Sequence, residues 1–229
     1  SMAVLGIIAF GLLLEAIYAQ LYWVQYTMKR HGTLRSDFPG TGGELAQHLV
    51  EQFQLDGVKV EPTDGGDHYD PASRTVHLSA DNFSKPSLTG VAVAAHEVGH
   101  ALQHARGDGG LALRQRLVKM AMITDRIASI FFLAAPVLFV IVRSPAAIFG
   151  MVALGISLLA IRVVVHLVTL PVEYDASFKK ALPILEEGGY LHPDDVKGAR
   201  SVLKAAALTY VAGALVSLLN LARWIRILR

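Results

Sequence analysis

Residues 96 to 100 read HEVGH, that is His96, Glu97, Val98, Gly99 and His100. Histidines four apart sit one turn apart on the same face of a helix. Two imidazoles so placed can bind one Zn2+. The glutamate after the first histidine can reach a water that the metal activates and take its proton. The metal brings that water's pKa towards about 7 and polarises a carbonyl, so an amide can be hydrolysed near neutral pH. His96 and His100 are therefore the candidate metal ligands, and Glu97 is the candidate general base. The neighbours Ala94, Ala95, Val98, Gly99, Ala101 and Leu102 are small or apolar. A charged surface helix with accidental histidines does not have such flanks. His104 continues the i+4 ladder and is read as a solvated or supporting histidine.

A catalytic zinc takes three protein ligands and keeps one position open. The closely spaced third histidine of the HExxHxxGxxH proteases is missing. Gln103 stands where that pattern needs glycine, and Arg106 where it needs histidine. The third ligand must come from farther along the chain. Residues 162 to 177, RVVVHLVTLPVEYDAS, run apolar up to Pro171 and then offer two carboxylates, Glu173 and Asp175. If the helix continues past a kink at Pro171, then His166, Glu173 and Ser177 share one stripe and Asp175 points elsewhere. Glu173 is the preferred third ligand and Asp175 its competitor, a solvated carboxylate if it is not one.

The elements that position these residues follow from hydropathy. Apolar residues make up 53% of the 229, too many for an ordinary soluble domain. Four stretches reach the length of about 20 residues that a bilayer needs. They predict transmembrane helices over 3–28, 120–142, 146–170 and 205–222. The fold class expected is a mainly α membrane protein with about four spans. A zincin-like α+β catalytic segment, 29–119, lies between spans one and two, with the HExxH helix over about 87–106. A helical segment over 171–204 carries the third ligand. Ser87 is the expected N-cap of the HExxH helix and Gly107 its stop. Two spans separate His100 from Leu170, so the chain returns to the side on which it left, and Glu173 is the first carboxylate there. Lysines and arginines crowd that side near the span ends, whereas the other side has Arg143 and the terminal Arg223, Arg226 and Arg229. Positive charge marks the cytoplasmic side. The expected location is a membrane, with the catalytic segment facing the cytoplasm.

Net charge is only +2 and no basic run alternates with aromatics, so nucleic acid is not an expected partner. The absence of cysteine excludes disulfides, thiolate metal sites and cysteine nucleophiles. The expected partners are a peptide or protein substrate and the lipid bilayer. Oligomeric state is not legible.

The stretch Asp67-His68-Tyr69-Asp70-Pro71 has two readings. It is a polar turn between strands, given Gly65, Gly66 and Pro71. Alternatively His68 or Tyr69 lies near the zinc and donates a hydrogen bond to the oxyanion, with an aspartate such as Asp70 orienting a ligand. In that case the strand Thr75 to Ser79 is an edge on which an extended peptide pairs.

HEVGH, TLPVEYDAS, the upstream DHYDP and VHLS, and the downstream AAALTYVAGALVSLL together resemble the YugP-like family of bacterial membrane zinc metallopeptidases. The resemblance spans nearly the whole chain. It implies zinc peptidase activity in the bacterial inner membrane, with a glutamate third ligand, which falls on Glu173. More distantly the chain is similar to the HtpX-type membrane endopeptidases, in which that glutamate lies in an ExxAD pattern. Here the run is Glu173-Tyr174-Asp175-Ala176-Ser177, with Ser177 in place of the last aspartate. A carboxylate usually orients a zinc-bound histidine, and Ser177 supplies a weaker hydrogen bond at that place.

The function expected is a gluzincin-type zinc endopeptidase embedded in the membrane. Two alternatives differ from it. A site-2-type intramembrane protease needs its LDG motif after the histidines, but Leu55-Asp56-Gly57 precedes them and is explained by a helix-to-strand turn. A membrane zinc transporter or a non-catalytic scaffold would use the same histidines without Glu97. The intramembrane candidates Arg162 and His166 either line the site or only support it.

Overall fold

The helix α1, Met2–Arg30, has 29 residues. At 1.5 Å per residue it is about 43 Å long, longer than the roughly 30 Å hydrocarbon core of a bilayer. It is apolar, with a mean hydropathy of 2.2 across its best window, and its large apolar side chains are exposed, among them Leu5, Ile7, Phe10 and Leu12. Such a surface suits lipid better than water.

The structure is a computed structural model describing residues 1–227, so Arg229 and the side chains of Arg162, Arg223 and Arg226 lie outside the described residues. The chain is mostly helical with a small three-stranded sheet, and it divides into two units. One joins Ser1–Asp108 to Glu173–Ala212; the other joins Gly109–Val172 to the chain from Gly213 on.

The first unit holds the motif. After α1 comes α2, Gly42–Gln52, capped by the Thr41 hydroxyl, which accepts the Glu44 N–H at 3.2 Å. Three strands follow: β1, Lys59–Thr63; β2, His68–Asp70; and β3, Thr75–Ser79. Their order in the sheet is β1-β3-β2, with β1 parallel and β2 antiparallel to β3. The expectation that Thr75–Ser79 forms an edge is corrected here. β3 is the middle strand, its backbone groups engaged on both sides, and the edges are β1 and β2. A short helix α3, Ala80–Ser84, leads to α4, Leu88–Ala105.

The Ser87 hydroxyl accepts the Gly90 N–H at 3.0 Å and caps α4. Gly107, at φ +67°, ends it in the left-handed conformation that glycine adopts at least cost. Every residue from Leu88 to Gln103 is buried. So α4 is the central helix, packed by Leu49 of α2, Val76 and Leu78 of β3, Leu185, Val202 and Leu203. Burial of a polar pentapeptide at the middle of such a helix is costly unless its groups are paired.

The same unit takes up the chain again at Glu173. The long helix α6, Pro145–Tyr174, runs through Pro171 and ends one residue after Glu173. It passes directly into a π-helical segment, Asp175–Ala181, then α7, Leu182–Glu187, a short 3-10 turn, Pro193–Asp195, and α8, Val196–Ile227. π-Helical turns are rare and occur mostly at functional sites.

The second unit contains α5, Gly109–Ile141, and α6 up to Val172. α5 has Pro136 inside it and bends by 43° between Ala128 and Leu133. Along both helices large apolar side chains are exposed, such as Ile130, Leu133, Val140, Phe149 and Leu167. Among the described residues α1 is long and apolar enough to cross a membrane, and the bent α5 is so only if its two halves form one span.

Candidate metal centre

Two elements make the centre. α4 brings His96, Glu97 and His100, all buried, with ligand-type atoms within 4.8 Å of one another. The end of α6 brings Glu173, also buried. Its Oε2 lies 3.1 Å from Nε2 of His96 and 3.1 Å from Nε2 of His100. The two imidazole rings stand at 85° with centroids 4.8 Å apart, and both Nε2 atoms face Glu173 Oε2.

The outer nitrogens settle which atoms carry protons. Ser177 donates its hydroxyl to the carbonyl of Leu203 at 2.7 Å. That hydroxyl has one proton, so towards His96 Nδ1, at 2.7 Å, it can only accept. His96 is therefore protonated on Nδ1 and its Nε2 presents a lone pair. His100 follows the same logic. Asp175 accepts the amide of Gln103 at 2.8 Å, which turns the Gln103 oxygen to His100 Nδ1, also at 2.8 Å. His100 too carries its proton on Nδ1. Two imidazole lone pairs and a carboxylate oxygen thus converge with no proton assigned between them. That donor set fits zinc. With Zn–N and Zn–O bonds of about 2.0–2.1 Å, tetrahedral neighbours lie about 3.3 Å apart, close to the 3.1 Å observed.

Burial of Glu173 alone would push its carboxyl up. A proton on Nε2 of His100 or His96, in the place a metal would take, outweighs that and holds it well below its ordinary range. Asp175 behaves alike: burial raises it, but Gln103 and Lys180 prevail and keep it ionised at lower pH than usual.

Gly99 explains the close approach of the two elements. A Cβ built there would lie 2.8 Å from the backbone oxygen of Ala176 and 3.3 Å from its Cα. The obstacle is backbone of the π-helical segment, which cannot swing aside as a side chain can. Gly99→Ala is expected to destabilise the fold by about 1–3 kcal/mol through overpacking and to weaken zinc binding, because α4 and Glu173 must part. Denaturant unfolding and a metal titration on the same protein check both; unchanged zinc affinity with the predicted loss of stability would break the link between this contact and the centre.

The remaining candidates are distributed as follows. Ser177 sits against His96. Tyr69 is buried on β2, its hydroxyl 2.8 Å from Nδ1 of His104, one turn beyond His100. Burial pushes its phenol pKa up. His68 is on the opposite face of β2, because strand side chains alternate. It is exposed, stacked on His77 with centroids 4.7 Å apart, and 2.7 Å from the carbonyl of Gly66. Asp70 holds the β2–β3 turn, accepting from Ala72 N–H and the Ser73 hydroxyl. His166 belongs to the second unit, where its carbonyl accepts the Thr169 hydroxyl at 2.9 Å. Two residues of the centre's surroundings were not expected from the sequence in the roles they take. Gln103 counted only as a mismatch to another pattern, although its place three residues after His100 puts it on the same helical face. Asp175, taken as a solvated carboxylate unless a ligand, is held by Gln103 and Lys180.

Residues 5–229 match the family described as "Putative neutral zinc metallopeptidase". The chain is also 36% identical over 212 residues, 90% of each protein, to a Bacillus subtilis (strain 168) protein named "Putative membrane protease YugP". No solved structure matches it.

Proposed function

The chain belongs to that family of neutral zinc metallopeptidases, and from this premise we propose that it is a membrane-embedded endopeptidase of the gluzincin type. The observation that carries the reading is the convergence of His96 Nε2, His100 Nε2 and Glu173 Oε2. These three atoms would hold the zinc, which supplies Lewis acidity to a peptide carbonyl and to water. Glu97, buried beside the histidines, is the general base: it takes the proton of the attacking water and passes it to the leaving amine. Ser177 and the Leu203 carbonyl keep His96 in the tautomer that offers Nε2 outward. An extended peptide pairs with the free edge of β2, the strand whose Tyr69 reaches α4.

The apolar α1 and the name of the B. subtilis relative support membrane association. In the proposed arrangement α1, α5, α6 and α8 all cross the bilayer, and the unit holding the centre faces the cytoplasm of a bacterial cell. The exposed apolar side chains of α1, α5 and α6 support the crossings, and the basic residues flanking them support the orientation. The substrate is a peptide or protein that reaches the cytoplasmic face.

The test is metal removal and return. Detergent-purified protein is expected to cleave an unstructured reporter peptide, to stop after chelation and to recover with one equivalent of Zn2+. Cleavage that persists in metal-free protein would refute the reading.

A further inference from the structure

The two ligand histidines are held by unlike partners. His96 rests on a neutral pair, the Ser177 hydroxyl and the Leu203 carbonyl, and both Ser177 and His96 are buried. His100 rests on Gln103, which is fully buried, and there the pairing does not stop. The Gln103 amide donates to Asp175 Oδ2, and the same oxygen receives the ammonium of Lys180. Lys180 lines a surface hollow of about 330 Å³ together with Arg106, Lys179 and Tyr190. A directed row of groups thus leads from the protein surface to one imidazole: ammonium, carboxylate, carboxamide, imidazole N–H.

We propose that Gln103, Asp175 and Lys180 are positioning residues that lock the ring and tautomer of His100 and make it the more strongly donating of the two ligands. This deepens the metallopeptidase reading and rests on it. A carboxamide is a weaker acceptor than the carboxylate that usually backs a zinc histidine. Charge at its far end compensates: an amide whose N–H groups are drawn by a carboxylate carries more negative charge on its oxygen. The carboxylate is then one residue removed from the histidine, balanced by Lys180 where water can reach. Among the described residues His96 has no such charge behind it, so loss of the Gln103 row weakens the metal through one ligand alone.

The test uses the full-length protein in detergent and reads two quantities, the zinc dissociation constant by competition with a chromogenic chelator and kcat at saturating zinc. Gln103→Leu is expected to weaken zinc by about 10–100-fold and to lower kcat with little change in KM. Gln103→Glu sets two carboxylates facing each other across the present 2.8 Å contact and is expected to weaken zinc as well. Adding Asp175→Asn to it reverses the roles of amide and acid along the row and is expected to recover most of the affinity. A structural role alone predicts no such recovery. The inference is overturned if Gln103→Leu binds zinc as tightly as the unaltered protein, or if the exchanged pair binds no better than Gln103→Glu. The exchanged pair conserves volume and decides the matter if Gln103→Leu fails to fold. His100→Ala separates this from the wider reading: unchanged zinc affinity there would overturn the centre itself, whereas loss there with no effect at Gln103 overturns only the row.

Discussion

Glu97→Gln is expected to keep one zinc per chain and to lose peptide cleavage by roughly 10²–10⁴-fold, the usual contribution of a general base. Glutamine has the shape of glutamate, so the buried helix is not asked to repack, but it cannot take a proton. The converging atoms belong to His96, His100 and Glu173, so zinc should not depend on the residue at 97. Metal content and turnover measured on one preparation check this. Each departure is informative. Undiminished cleavage removes Glu97 as the general base and with it this mechanism. Loss of zinc makes Glu97 a ligand, an option its proximity to both histidines keeps chemically open.

The second large effect concerns Glu173. Glu173→Gln removes the anionic oxygen facing both Nε2 atoms and is expected to weaken zinc by more than about 100-fold, beyond the range seen when only the groups behind a ligand are changed. Asp175→Asn, two residues on, should weaken it far less, because asparagine still accepts the Gln103 amide. Equilibrium zinc titration of the two variants side by side compares the two carboxylates directly. A greater loss at Asp175 would reverse the assignment of the third ligand. The charge of Glu173 matters for a physical reason: burial opposes its ionisation, and a cation held between it and the two imidazole lone pairs offsets that cost.

Much of this was written in local pattern. The i, i+4 histidines announce a metal site without knowledge of the fold, and with the accompanying motifs they carry the family resemblance. The mainly helical class with a few short strands follows from long apolar runs and brief alternating ones. The order of the strands was not legible. VKVEP and TVHLS each read as strands, but nothing local says that the three-residue HYD pairs on the far side of TVHLS and leaves it in the middle. Register and order are set by partners distant in sequence. The π-helical turn after Glu173 was equally silent, since no residue type marks one. Gln103 escaped because it was compared with a pattern rather than with its own neighbours, and Asp175 because its partners come from another helix and from five residues ahead. Number of spans is a matter of hydropathy alone in the sequence; in the structure α1 meets the length and composition test outright and α5 only as a bent pair.

The histidines and Glu173 are 73 and 77 residues apart, and everything between His100 and Glu173 except Ala101 to Asp108 belongs to the other unit. A ribosome therefore delivers the HEVGH helix well before the carboxylate that faces it. For that interval the emerging chain holds two imidazoles and a base but an incomplete donor set, and peptide hydrolysis must wait until α5 and α6 have been made and the chain has come back. A copy truncated before Glu173 therefore lacks the third of the converging donors and is expected to be inert.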